Sequence, residues 1–110
     1  MDYQGIFDAL EETELPVAFN YWEIGQVPEL PYIVFTFPDN NDFVADNTNY
    51  AEIVTLEVNL YCPRKSIETE QAVEAVLGEY FGPYFKTSIY VSADNMQETT
   101  YTMEVVISNG

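Results

Sequence analysis

An alternating segment in the middle of the chain constrains the fold more than any other part of the sequence. Between residues 54 and 60, every second side chain is apolar, and the positions between are polar. The apolar members are Val54, Leu56, Val58 and Leu60. A period of two is typical of a β-strand with one buried face. We therefore predict a strand over 50–62, which Pro63 ends.

Four further segments have the β-branched and aromatic composition of strands. They cover 17–22, 32–37, 84–93 and 98–107. Within 84–93, one face is expected to hold Phe85, Thr87, Ile89 and Val91. The segment 32–37 is apolar at nearly every position, which is typical of a central strand covered on both sides, at least in the assembled protein. A turn over 93–96 is expected to join the last two strands.

Two segments have the three- and four-residue spacing of apolar side chains that predicts amphipathic helices. The first covers 2–12 with Asp2 as its N-cap, and the second covers about 67–81 after an N-cap at Ser66. In the second, one face is expected to be lined by Val73, Val76, Leu77, Tyr80 and Phe81. Gly78 lies inside the second helix, where it costs about 1 kcal/mol relative to Ala. We interpret that cost as a sign of close packing at Gly78.

The predicted elements assemble into one α+β domain spanning 1–110. We expect a mostly antiparallel, four- to five-stranded sheet with two helices packed on one face. The most polar stretch, 39–49, is rich in Asn and Asp, which favour turns. It is predicted to form a projecting loop or small hairpin with an apolar tip at Phe43 and Val44.

The charge of the chain excludes several functions. Asp and Glu total 19 against 3 Lys and Arg, with no His, so the formal net charge is −16. Because phosphate contacts require a basic face, specific nucleic-acid binding is not expected. No apolar run approaches the ~20 residues of a membrane helix, and the N-terminus lacks a signal-peptide pattern. We expect no association with membranes. We expect the protein to be made and kept in a reducing cytoplasm.

The sequence contains no catalytic pattern. Without His, a Ser–His or Cys–His pair cannot form, and the glycines are scattered rather than gathered in a phosphate loop. Cys62 continues the apolar face of its strand, so we predict a buried, inert thiol although Arg64 and Lys65 are close to it. We therefore expect neither an enzyme nor a cofactor.

The acidic residues of the polar stretch raise the question of a bound cation. An EF-hand loop needs Gly at its sixth position, but the sixth residue counted from Asp39 is Val44. Zinc is disfavoured because the chain has one Cys and no His. A nonspecific cation site among Asp39, Asp42 and Asp46 stays open beside the simpler interpretation, a solvated loop.

Five segments together carry a resemblance to a known family. They are the N-terminal helix leading into 15–22, the Pro-flanked 28–35, the polar stretch with 43–46, the strand 54–61 and the helix 70–81. In order and size they are similar to the tail-terminator (tail-completion) proteins of long-tailed bacteriophages and prophages. None of these segments encodes a chemistry, so the resemblance carries over no catalytic residue.

The resemblance implies a hexameric ring that caps the tail tube, stops its polymerisation and offers a docking surface to the head. The implied partners are other copies of the chain, the tail tube protein and a head-completion or neck protein. The implied location is the host cytoplasm during assembly and then the head–tail junction of the virion. The resemblance also implies that 39–49 reorders against the tube or ring neighbours.

The predicted assembly interface combines this stretch with one aromatic residue. Its members are Trp22, Asp39, Asp42, Phe43, Val44 and Asp46. Trp22 borders a polar loop, where an aromatic side chain can anchor an interface, but packing at the rim of the core explains it equally well.

Two other functions stay open. Within phage biology, the chain is also similar in kind to other head–tail neck or connector components. The second open function belongs to a different class of protein, an acidic inhibitor that mimics DNA. Such an inhibitor would array carboxylates along one face at phosphate-like spacing. The acidity itself either lets DNA slide through a ring without binding or keeps an unassembled subunit soluble.

Overall fold

The structure, a computed structural model, describes residues 2–38 and 52–107. The elements in chain order are α1 (Tyr3–Glu11), β1 (Val17–Phe19), β2 (Tyr32–Thr36), β3 (Glu52–Cys62), α2 (Ile67–Tyr80), β4 (Phe85–Val91) and β5 (Met96–Ile107), with a short 3-10 turn at Ser92–Asp94. The strands form one sheet in the order β1-β2-β3-β5-β4. The predicted α+β fold is therefore confirmed.

The sheet is built around its two longest strands, β3 and β5. They pair antiparallel from Glu52 opposite Ile107 to Cys62 opposite Gln97. β2 and β4 flank this pair, also antiparallel, and β1 adds the one parallel pairing of the described sheet, beside β2. β2 lies between β1 and β3, as expected of an interior strand, and its residues alternate between half-buried and buried, so within the described chain one of its faces is fully covered.

Both helices cover one face of the sheet. Ile6 and Leu10 of α1 and Val73 and Leu77 of α2 are fully buried there. The inward residues of the strands complete this core, namely Val17, Ile33, Phe35, Val54, Leu56, Val58, Leu60, Cys62, Tyr101, Met103, Val105 and Ile107. The period of two in β3 thus identifies the core side correctly.

The helix starts agree with their sequence signals. The Asp2 carboxylate accepts a 2.8 Å hydrogen bond from the Gly5 N–H, and the Ser66 hydroxyl accepts one of 3.2 Å from the Thr69 N–H. Each bond satisfies a backbone donor that has no partner within the helix.

Other boundaries differ from the sequence prediction for local reasons. β1 ends at Phe19, before the predicted 22, because Asn20 has a φ of 69° and the chain leaves the sheet there. β5 begins at Met96, before the predicted 98, because Asn95 has a φ of 51° and already completes the turn. Asn tolerates this left-handed conformation better than most residues.

Two expectations about α2 are wrong. Gly78 is exposed, and a Cβ placed on it would meet nothing within 4 Å, so close packing does not explain this glycine. Tyr80 was expected on the buried face but is 36% exposed, and its hydroxyl donates a hydrogen bond to Glu12 at the end of α1. That bond raises the pKa of Tyr80 to about 12.

Candidate assembly surface

The second face of the sheet carries no helix among the described residues. We call it the helix-free face. It consists of Tyr32, Val34 and Thr36 of β2, the odd-numbered residues 53–61 of β3, the odd-numbered residues 85–91 of β4 and the even-numbered residues 96–106 of β5. Directly opposed residues of neighbouring strands point to the same face, so the register defines this surface.

Polar contacts between β3 and β5 organise the middle of the helix-free face. Asn59 is buried, and its amide oxygen accepts a 2.8 Å hydrogen bond from the hydroxyl of Thr100, the residue opposite. The Asn59 amide nitrogen also donates to Glu57 at 3.2 Å. These bonds satisfy a buried amide and hold Glu57 in place without a helix above it.

Large apolar side chains lie exposed on both sides of this polar middle. On β4, Phe85 is 81% exposed and Ile89 is 58% exposed, and Ile53 of β3 is 71% exposed. A shallow depression beside Phe85 is also lined by Thr55, Thr102 and Glu104. Phe85 and this depression therefore form an exposed apolar position bordered by Thr and Glu side chains.

An aromatic cluster occupies one end of the helix-free face. The rings of Trp22 and Tyr32 meet edge to face at 5.8 Å, and the rings of Tyr32 and Tyr61 lie 5.3 Å apart. The Tyr61 hydroxyl donates a 3.0 Å hydrogen bond to Glu98, the residue opposite it on β5. Burial, and then this hydrogen bond, raise the pKa of Tyr61 well above its usual value.

Trp22, the one described member of the predicted interface, belongs to this cluster. It is half-buried, and its indole N–H is buried without a hydrogen-bond acceptor among the described residues. The structure therefore places Trp22 against the rim of the sheet beside Tyr32. The other predicted interface residues, Asp39, Asp42, Phe43, Val44 and Asp46, lie outside the described residues.

The charges divide unequally between the two faces. Glu57, Glu98 and Glu104 lie on the helix-free face. The chain has three basic residues. Of these, Lys86 points to the helix-covered face opposite Tyr101, while Arg64 and Lys65 lie in the loop between β3 and α2. The helix-free face therefore carries carboxylates and no basic side chain.

Lys65 and Lys86 both form ion pairs with carboxylates away from the helix-free face. Buried Glu70 of α2 forms ion pairs with Lys86 at 2.8 Å and with Lys65 at 2.9 Å. Lys86 also pairs with Glu74, which accepts a 2.8 Å hydrogen bond from the Tyr101 hydroxyl. Burial alone would raise the pKa of Glu70, but the lysine contacts outweigh it and lower that pKa. This cluster ties β4 to α2.

The outer edge of β4 is a second exposed feature. β4 pairs with β5 on one side, and no described strand pairs with its other side. Six of its seven residues are exposed. An edge strand of this length offers unpaired backbone donors and acceptors to another chain.

Sequence reasoning missed this surface. It correctly grouped Phe85, Thr87, Ile89 and Val91 on one face of a strand. It did not identify that face as the uncovered one, because alternation alone does not say which side of a strand meets the helices. The apolar character of Phe85 and Ile89 was the available signal.

The described residues contain no group of three or more Cys, Asp or Glu side chains placed to hold a metal ion. Cys62 is buried and free, as expected, and burial raises the pKa of its thiol. Within the same residues, no helix is long and apolar enough to cross a membrane.

No model of a known protein family matches the chain, and a search of curated proteins finds no significant match.

Proposed function

We propose that this chain is a structural protein of a long-tailed phage that forms a ring on the end of the tail tube, stops its growth and provides the head-docking surface. The observation that carries the proposal is the pair of uncovered surfaces on one small acidic domain, the β4 edge and the helix-free face. A ring subunit needs one surface for its neighbours and another for the structures it joins. The order and size of the elements, which resemble tail terminators, support the same proposal.

The β4 edge is the proposed contact between copies in the ring. Its exposed backbone is suited to pairing with a neighbouring chain, and Ile89 and Tyr90 are more than half exposed beside it. A contact between two different surfaces of the same subunit repeats from copy to copy and closes into a ring when the rotation allows. A hexamer is the number that the resemblance implies.

The net charge of −16 has two effects in this proposal. It keeps free subunits apart, so that assembly needs contacts with the tube or screening by salt. It also leaves a ring that repels phosphate, so DNA passes through without being held. We propose no catalytic activity, because a sequence without His cannot form a Ser–His or Cys–His pair.

The described acids support a ring subunit better than a DNA mimic. Glu98 and Glu104 lie on the same strand six residues apart, which corresponds to roughly 20 Å. Phosphates along one DNA strand advance about 3.4 Å each along the helix axis. Thr100 and Thr102 lie between these two carboxylates on the helix-free face, so the face does not reproduce a phosphate row.

Negative-stain microscopy of the purified protein, alone and mixed with tail tubes from the phage or prophage that encodes it, tests the proposal. We expect rings at tube ends and no further tube growth in polymerisation mixtures. A protein that never engages tubes contradicts the proposal. Phages lacking the protein are expected to make overlong or headless tails, whereas finished tails of normal length without heads would indicate another neck role.

A matched pair of variants tests the β4 contact. Ile89→Lys places a charge beside the edge, where Lys blocks pairing with another strand, and opposite Glu98, which favours the fold. Ile67→Lys makes the same change at an equally exposed isoleucine in the first turn of α2. We expect Ile89→Lys to lose rings and Ile67→Lys to keep them, with both proteins folded. Equal ring formation by both variants would contradict the proposal that β4 forms the contact between copies.

A further inference from the structure

We propose that the helix-free face binds a basic protein partner, one that presents Lys or Arg side chains together with apolar ones. This inference deepens the proposed function and rests on it only for the premise that the chain acts by binding other proteins. It assigns other copies to the β4 edge, with Ile89 and Tyr90 beside it, and a basic partner to the rest of the helix-free face.

Charge decides between a basic partner and a second copy. Glu57, Glu98 and Glu104 share the face, whereas Lys65 and Lys86 are paired with acids elsewhere. A second copy docked face to face would bring carboxylates against carboxylates, which is destabilising when they are desolvated. A partner with basic side chains gains attraction at the same positions, and the net charge of −16 attracts it from a distance.

The apolar side chains set a second requirement. Ile53 and Phe85 are each more than half exposed on this face. Polar and acidic side chains lie between them, because Thr102 is opposite Phe85 and Glu57 is opposite Thr102. A complementary surface must combine apolar and basic side chains, which one face of an extended or sheet-forming segment can present.

The aromatic cluster provides a specific binding position for one basic side chain. Trp22 meets Tyr32 edge to face, the tilted rings of Tyr32 and Tyr61 lie side by side, and the Tyr61 hydroxyl donates a hydrogen bond to Glu98. Aromatic ring faces attract Lys and Arg, and an adjacent carboxylate adds an ion pair. We assign the binding position beside Tyr61 and Glu98 to a Lys or Arg side chain of the partner.

Trp22 makes the binding measurable, because it is the one tryptophan of the chain and belongs to the cluster. The probe is a capped peptide that alternates Arg and Val, compared with a peptide of the same length that alternates Glu and Val. We expect the Arg peptide to shift the Trp22 emission saturably and the Glu peptide to leave it unchanged. Adding about 0.5 M NaCl is expected to weaken the Arg peptide's binding severalfold.

Paired variants separate a specific face from general acidity. The double variant Glu98→Gln with Glu104→Gln removes two charges from the helix-free face, and Gln can still accept the Tyr61 hydrogen bond. The control, Glu11→Gln with Glu14→Gln, removes two exposed charges at and after the C-terminal end of α1. We expect the first double variant to weaken binding of the Arg peptide by about three- to tenfold, and the control to weaken it by less than about twofold.

Three outcomes overturn the proposal. Equal losses in both double variants would mean that the peptide senses only net charge, and binding of the Glu peptide would mean that charge plays no part. Concentration-dependent dimerisation that Phe85→Ser abolishes would assign the face to a second copy. None of these measurements needs tail tubes, so a failure to form rings with normal peptide binding would reject the proposed function and leave this inference standing.

Discussion

Lys86 of the edge strand β4 and Glu70 of α2 form a 2.8 Å ion pair across the layers of the domain. Glu70 is 3% exposed and is shared with Lys65, so one buried carboxylate receives two ammonium groups. β4 has few buried side chains of its own. The pair therefore supplies much of what holds the proposed assembly edge against the helices.

Replacing Glu70 by Gln is expected to lower the free energy of unfolding by about 1–2 kcal/mol at pH 7, a figure reduced because the lysines are partly exposed. The folded pKa of Glu70 is lowered, so its stabilisation is present above the unfolded value of about 4.3 and is lost as pH falls through the folded value. Chemical denaturation between pH 7 and pH 3 is expected to show the wild-type advantage shrinking below about pH 4.

Glu68→Gln is the control for this comparison, because Glu68 is exposed and shares the first turn of α2 with Glu70. It reports the effect of the helix dipole without the lysine contacts. Equal destabilisation by the two substitutions would contradict the assigned role of the ion pairs.

Gly78→Ala is expected to stabilise the protein by about 0.5–1 kcal/mol, because the site is helical, exposed and open to a Cβ. Thermal unfolding would then shift upward by several degrees. Gly25→Ala is expected to lower stability instead, because Gly25 has a φ of 80° and a side chain there is strained. A loss of stability in Gly78→Ala would point to a contact that the structure does not contain.

Asn59→Ala is expected to cost about 1–2 kcal/mol, because it removes a buried amide whose oxygen accepts the hydrogen bond of the half-buried Thr100 hydroxyl. Thr55→Ala, on the same face of the same strand, is expected to cost less. Urea unfolding of both variants measures the difference. Similar losses would mean that strand propensity, and not the bridge between β3 and β5, explains the effect.

Cys62 is expected to react with a thiol reagent at least about tenfold more slowly in the folded protein than in denaturant. Its side chain is 3% exposed, and burial, followed by the charge of Glu70, raises the pKa of the thiol against the opposite effect of Lys65. Kinetics of labelling at pH 8 measure the ratio, with Cys62→Ser as the blank. Fast labelling of folded protein would contradict the inert assignment.

The sequence by itself determined the elements and the core, because these depend on local periodicity and capping. The alternation from Val54 to Leu60 identified the buried side of β3, and Asp2 and Ser66 identified both helix starts. One exposed position, Gly78, misled the interpretation because a propensity cost does not say where a residue lies.

Only the tertiary structure decided which surfaces stay uncovered. The strand order places β4 at one edge of the sheet and β2 on the opposite side of the β3–β5 pair, and no local pattern encodes that order. The register then brings Tyr32, Tyr61 and Glu98 into one row, although they are far apart in the chain. Pairing between strands and the side on which helices pack are non-local, so the candidate surface emerges only when the sheet is assembled.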